Sequence, residues 1–551
     1  MMRKINLIWV RLVAACLLPA LAAVSPVGAS GKTQVVSKWG RFEESFQSTV
    51  AYANPLQDVS LKVVFRSPLG ETNEVDGFWD GGRTWRVRFS PDLPGHWKYR
   101  TTCSDKTNEG LHNEIGEFIC SAATGQRRFE RHGLVRVARD RHHLEHQDGT
   151  PFFWLADTVW NGARVSEPKD WEFYASARAS QRFTVVQWAV APGDDLRNQS
   201  AYTGFPERIG INPDFFKRLD AKLNVLNQAG ILSAIVPILE LPSVKNTAPP
   251  LPDSQAEVLA RYVVARWGAD PVVWLLAFEG DSAAQNVGRW KRIGQAVFGS
   301  RPHAPVILFP GGTQWVLDEF RDQNWVDVFG YQSVTDFTDD ALKWTFAGPF
   351  VTEWKKEPAR PVIPFAPNEN GLRPQSTNRF SADEVRRAVY WSVLLGPVAG
   401  VSYGAEGVMN WERDVGPGQA QATAADMAMW RKALFMPAAK QVSYLAWFLT
   451  SVDFWRLYPD PKAVAGQPGD QAPPRFIAAA GTQDKDLAVV YVPQDRTLEL
   501  SPDAMPHSPA VFWLNPRTGA SSPAVAVLGG SSCQFPTTEP GDWLLVLKVG
   551  K

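Results

Sequence analysis

The stretch Trp274-Leu-Leu-Ala-Phe-Glu279-Gly-Asp281 sets two carboxylates directly behind an apolar run of strand length. A carboxyl framed by apolar residues at a strand end is a candidate acid or base, because partial burial moves its pKa toward neutrality. Carboxylates recur at comparable positions: Asp157, Asp194 and Asp195, Glu240, Glu369 and Glu406 each follow an apolar run. Aromatic residues share those segments, among them Trp160, Trp188, Tyr202, Trp315, Tyr331, Tyr403 and Trp411. Such rings stack on sugar faces while their polar tips reach hydroxyls. Hydrolysis of a glycosidic bond takes two carboxylic groups, one to protonate the leaving oxygen and one to attack the anomeric carbon or activate water. The expectation is a sugar-cleaving cleft in which Glu279, Glu369 and Glu406 are catalytic candidates. Asp157, Trp160, Gln187, Trp188, Asp195, Glu240, Asp281, Gln332, Tyr403 and Trp411 are the substrate-binding candidates.

To converge, these groups need a scaffold that brings many strand ends to one face. Apolar runs at 151–156, 183–188, 232–238, 272–278, 305–309, 326–331, 361–365 and 400–403 alternate with helical patterns. That is the order of an α/β fold, a (β/α)8 TIM barrel with its chemistry at the C-terminal strand ends. Asn212-Pro213 opens a helix with a cap and a first-turn proline, and Phe215, Phe216, Leu219, Leu223 and Leu226 follow at helical spacing. Ser254 to Trp267 repeats the plan, and Ser381 with Glu384 forms a capping box. From about 36 to 124 the signals are short alternating strands with Gly and Pro punctuation, as in a β-sandwich. The periodicity changes again beyond 440, where short strands suggest a small C-terminal β-domain over 441–551, leaving 130–440 for the barrel.

The motifs Gly77-Phe-Trp-Asp80, Arg88-Phe-Ser-Pro91 and Gly95-His-Trp97 resemble the N-terminal β-sandwich that precedes many barrel glycoside hydrolases, which implies docking on the barrel or contact with glycan. Within the barrel, Pro151-Phe-Phe-Trp-Leu-Ala-Asp157, Asn212-Pro-Asp-Phe-Phe216, Val273-Trp-Leu-Leu-Ala-Phe-Glu279 and Tyr403-Gly-Ala-Glu406 resemble signatures of apiosidase-like glycoside hydrolases. The resemblance implies a retaining hydrolase with an acid/base after the fourth strand and a nucleophile after the seventh. The final segment resembles the collagen-binding-type β-domain that ends many such proteins, from which collagen binding is not inferred. Two departures stand out. The family's Gly-Gly-Asp is Ala277-Phe278-Glu279, and its Gly-Glu-Pro is Phe365-Ala366-Pro367, which puts alanine where the nucleophile is expected. Three readings follow: a hydrolase in which Glu369 or Glu406 has taken over, a glycan-binding protein that has lost its nucleophile, or an exported structural protein with a degenerate barrel.

Composition narrows the partners. With 57 basic and 57 acidic residues, the chain has no positive excess to gather phosphates, so nucleic acid is not an expected partner; the acidic, aromatic strand ends make an oligo- or polysaccharide the expected one. Arg3 and Lys4, an apolar stretch and small residues at Val27-Gly-Ala29 read as a signal peptide over 1–29, giving a secreted or periplasmic protein. A competing reading acylates Cys16 as a lipid anchor. No later segment has the ~20 apolar residues of a membrane span. Cys103 and Cys120 permit a disulfide or two separate buried thiols. No Cys/His cluster has metal-ligand spacing, so neither metal nor cofactor is expected.

Overall fold

The computed structural model describes residues 33–204, 206–240, 250–279, 283–300, 302–311, 315–374, 376–413, 430–494, 496–529 and 532–550. The expected signal peptide, Cys16 and Asp281 lie outside them.

Eight parallel strands close into a barrel: β1 (Trp154–Thr158), β2 (Val185–Ala191), β3 (Leu232–Ile238), β4 (Val272–Glu279), β5 (Val306–Gly311), β6 (Val328–Gln332), β7 (Val362–Phe365) and β8 (Gly400–Tyr403). Side chains alternate between its interior and the surrounding helices. On β4, Val273, Leu275 and Ala277 join the interior cluster, whereas Trp274, Leu276 and Phe278 pack with the outer layer. Closure between β8 and β1 depends on Gly400, whose φ is 146° and where a Cβ would lie 1.9 Å from the Trp154 carbonyl oxygen. The apolar run at 151–156 divides. Pro151–Phe152 pairs with Leu144–His146 beneath the barrel, and Phe129, Val135, Leu144 and Phe152 close its N-terminal end.

Around the barrel lie α1 (Pro168–Ser180), α2 (Pro213–Gln228), α3 (Asp253–Trp267), α4 (Ala283–Phe298), α5 (Asp339–Ala347), α6 (Ala382–Leu394) and α7 (Pro437–Thr450). The local signals act as their chemistry requires. The Asn212 side chain accepts the Phe215 N–H at 3.3 Å, with Pro213 at the first helical position. At α6, Ser381 Oγ accepts the Glu384 N–H at 3.3 Å, and Glu384 returns the bond by accepting the Ser381 N–H at 2.9 Å. Helix α7 runs through the expected boundary at 441, and its Val442, Leu445 and Leu449 belong to the outer core of the barrel. The first strand of the C-terminal β-domain is Tyr458–Pro459.

The N-terminal module stacks a five-stranded sheet on a three-stranded one around Phe42, Phe65, Phe89, Trp97 and Phe118. Its Arg88 reaches Asp220 of α2 at 3.0 Å, and Arg266 of α3 bridges Asp80 at 2.9 Å and Asp220 at 2.7 Å. Cys103 and Cys120 are free thiols. On their two neighbouring strands Cys120 stands opposite Gly95, eight residues along the strand from Cys103, so at about 3.3 Å per residue no bond can join them. The C-terminal β-domain docks through Asp542, which accepts from Arg386 of α6 at 2.7 Å and from the Tyr491 hydroxyl at 2.8 Å.

Candidate active site

The upper interior of the barrel is largely apolar. Trp160, Ala189, Leu239, Ala277 and Met409 belong to one cluster there. Phe309 and Phe365 join it and stack face to face, with centroids 3.7 Å apart and planes 9° from parallel. Phe365 occupies the first position of the altered Gly-Glu-Pro motif, and its ring fits because a Cβ on Gly330 of β6 would stand 2.8 Å from it. One polar belt crosses this interior. Trp154 Nε1 donates to Ser402 Oγ at 3.0 Å, and Gln187 Nε2 donates to the same oxygen at 2.7 Å. Thr158 Oγ1 donates to Gln187 Oε1 at 2.9 Å. The expected Gln187 is thus inside the barrel, with its amide committed to Ser402 and Thr158.

Several expected site residues are engaged elsewhere, Asp157 and Trp188 because their strand positions have the outward phase of the pleat. Asp157 is fully buried against α1, where its Oδ2 accepts from Arg178 Nε at 2.6 Å and from the Tyr174 hydroxyl at 2.6 Å. Trp188 packs edge-on to Trp267 at 5.5 Å, and Trp411 stacks on Trp430 at 4.2 Å, both in the helix layer. Glu240 pairs with Arg289 of α4 at 2.7 Å. Asp195 is held by Arg218 at 2.8 Å and by the N–H groups of Arg197 and Gln199 within its own loop.

Glu369 requires the larger correction. Its side chain is 3% exposed. The Tyr403 hydroxyl donates to it at 2.7 Å, and the Ala438 N–H at the start of α7 donates to both of its oxygens at 3.1 Å. Burial raises its pKa, while those bonds pull it down. Tyr403, pushed well above its ordinary range by burial and then by the Glu369 charge, stays a neutral donor. The carboxylate therefore lies in the barrel wall, together with Tyr403, and not in the cleft.

Three expected positions keep a place at the C-terminal rim. Glu279 ends β4 in register with Gly311 and in the phase of Val273, Leu275 and Ala277; its side chain is outside the described residues. Gln332 ends β6 opposite Phe365 and is half-buried. Glu406 follows β8 on a turn fixed by its own N–H, which donates to the Glu369 carbonyl oxygen at 2.9 Å. Its half-buried carboxyl is raised above 4.5 by burial, with Arg379 acting in the opposite direction. Among the described carboxylates expected at the strand ends, Glu406 is the one without an ion pair or side-chain hydrogen bond. Sequence reading missed Asn368, whose Nδ2 donates to Met409 Sδ at 3.0 Å and whose Oδ1 would lie 1.9 Å from a Cβ on Gly404. Its place one residue before Glu369 was the available signal. Among the described residues no group of three or more His, Cys, Asp or Glu could hold a metal ion, and no helix is long and apolar enough to cross a membrane.

An eight-stranded barrel between two β-domains has the architecture of barrel glycoside hydrolases. The chain belongs to the apiosidase-like family, whose catalytic domain matches residues 138–456. Residues 35–104 match a domain of unknown function, DUF5060, and residues 458–548 match the family described as "Putative collagen-binding domain of a collagenase". A sequence comparison with curated proteins finds no match. Among solved structures, one from Bacteroides vulgatus ATCC 8482, named a "putative glycoside hydrolase", is similar with 18% identity, a TM-score of 0.69, and coverage of 94% of this chain and 100% of that one. A family 5 glycoside hydrolase from the same strain is similar with 21% identity and a TM-score of 0.63, covering 77% of this chain and 95% of its own. A structure named simply a glycoside hydrolase is 19% identical, with a TM-score of 0.63 over 77% of this chain and 98% of that one. At these identities the structures speak for the fold.

Proposed function

We propose that this protein hydrolyses glycosidic bonds in plant or microbial polysaccharide with Glu279 and Glu406 as its carboxylate pair. The observation that carries the pairing is the freedom of Glu406: the other described candidates are engaged by Arg178, Arg218, Arg289 or Tyr403, whereas Glu406 is half-buried at the rim with its carboxyl unbonded. Glu279 holds the position of the family acid/base, which leaves Glu406 as the partner that, once ionised, attacks the anomeric carbon or activates water. Retention of configuration is the stereochemical course the family resemblance favours. The test is turnover on aryl glycosides and on plant and bacterial polysaccharides. Glu279→Gln and Glu406→Gln should each lower kcat ~10²–10⁴-fold with the fold intact, while Glu369→Gln stays active. Full activity in Glu279→Gln would refute the pairing, and NMR of the first-formed anomer decides retention.

Ala366 favours a second reading, in which the barrel binds glycan without cleaving it. Binding without turnover across the same panel would support it. Export is also proposed, on the signal-like segment 1–29. The mature mass should begin at Ser30; a lipidated Cys16 would be seen as a heavier, membrane-bound product.

A further inference from the structure

A second feature lies on the flank of the barrel, beyond the end of α1, where the chain enters β2 at the end opposite the mouth. There α7 turns an unusual stripe outward. Lys440, Tyr444 and Trp447 stand at i, i+4 and i+7, one face of the helix, while Val442, Leu445 and Leu449 hold the buried face. Trp447 is 44% exposed and the neighbouring Phe435 is 57% exposed, on a molecule in which indole and phenyl rings are otherwise mostly buried. These rings line a groove of about 560 Å³, within the range of ligand clefts, bounded on its far side by the turn Thr518-Gly519 of the C-terminal β-domain. That turn braces the platform: Gly519 has φ 75°, and a Cβ there would lie 2.7 Å from the Tyr444 ring.

The charge in this groove has one sign. Its lining includes Arg182 and Lys440 and no Asp or Glu. Arg182 is exposed, and among the described residues neither cation has a salt bridge or side-chain hydrogen-bond partner. An adjoining depression shares Arg182 and Trp447 and adds Arg127 and Arg128, again with no carboxylate in its lining. Arg127 pairs with Glu130 at 3.4 Å, and Arg128 donates to the Gly230 carbonyl oxygen at 3.2 Å. The chain as a whole carries equal numbers of acidic and basic residues, so this local imbalance is a property of the place and not of the composition.

We propose that this groove is a docking site for an acidic polysaccharide, one bearing uronate carboxylates. Flat exposed rings offer stacking surfaces for pyranose faces, and Arg182 and Lys440 complement the carboxylates along the chain. The groove lies away from the barrel mouth, so a polymer held there stays tethered while another part of it reaches the cleft, and the second contact gains from a raised effective concentration. The site does not depend on the barrel being hydrolytic, and its test is binding, which separates its failure from failure of the proposed hydrolysis.

The experiment is affinity electrophoresis of the full chain in gels containing polygalacturonate or alginate, with galactomannan as the neutral control. Wild type should be retarded by both uronate polymers and not by galactomannan, and the retardation should fade with added salt. Trp447→Ala and the double variant Arg182→Gln/Lys440→Gln should each weaken retardation about tenfold or more, with unchanged thermal unfolding confirming the fold. Arg182→Lys should retain most of it. Equal retardation by galactomannan, no retardation of wild type, or undiminished binding by both variants would overturn the assignment.

Discussion

The Tyr403 hydroxyl meets the Glu369 carboxylate at 2.7 Å inside the barrel wall, and the backbone of the same glutamate accepts the Glu406 N–H at 2.9 Å. A residue that looked like a nucleophile thus fastens β8 and α7 together and seats the turn that carries Glu406.

Removing Glu369 should cost stability before it costs chemistry. Glu369→Ala orphans a buried hydroxyl and the Ala438 N–H, at about 1–3 kcal/mol for each group, and should lower the denaturant midpoint markedly. Glu369→Gln keeps an acceptor and should lose less. Because burial raises the folded pKa above the ordinary 4.5, the native state binds the extra proton. Its contribution is therefore full below pH 4.5 and is lost as pH rises through the folded value. Stability curves of Glu369→Gln should lack that decline.

The pair Asp157–Arg178 is buried completely on both sides. Asp157→Ala leaves the guanidinium without its counter-charge and should destabilise the fold by about 3–5 kcal/mol, measured by urea unfolding. Substituting both, Asp157→Leu with Arg178→Met, should recover much of that loss. A substrate-binding Asp157 would instead show an altered KM at unchanged stability.

At the interface of the N-terminal module with the barrel, burial works to raise the Asp220 pKa. Hydrogen bonds and charge from Arg266 and Arg88 outweigh it and hold the group at about 2, against an ordinary 3.8. A depressed carboxyl stabilises the native state above pH 3.8 and loses that contribution as pH falls toward 2. The loss is roughly 2 kcal/mol at about 1.4 kcal/mol per unit. Tryptophan fluorescence of wild type should report acid destabilisation in this window, and Asp220→Asn, weaker at neutral pH, should show a flatter response.

If Glu406 is the ionised partner of Glu279, turnover should fall on the acid side as Glu406 takes up a proton, at a pH above 4.5 because burial raises it. Glu406→Gln should abolish this limb together with most of kcat. Arg379 acts to lower that pKa, so Arg379→Gln should move the limb to higher pH. A limb that does not move with Arg379 would assign it to another group.

The sequence by itself determined the scaffold. Eight apolar runs, the Asn212 cap, the Ser381–Glu384 capping box and the Gly/Pro-punctuated flanks are local signals, set by backbone geometry within a few residues; the caps form as read and each run contributes a barrel strand within a few residues of where it was read, the first after splitting at Phe153. Tertiary structure alone decided which strand-end groups face the cleft. Glu279 ends its strand in the backbone phase of Ala277, whereas Asp157 follows Leu155, Trp188 follows Val186 and Tyr403 follows Val401 into the helix layer. In a two-residue pleat one step turns a side chain from mouth to wall. The phase is set by how eight strands stagger around the barrel and by partners such as Arg178 and Ala438, which come from distant parts of the chain.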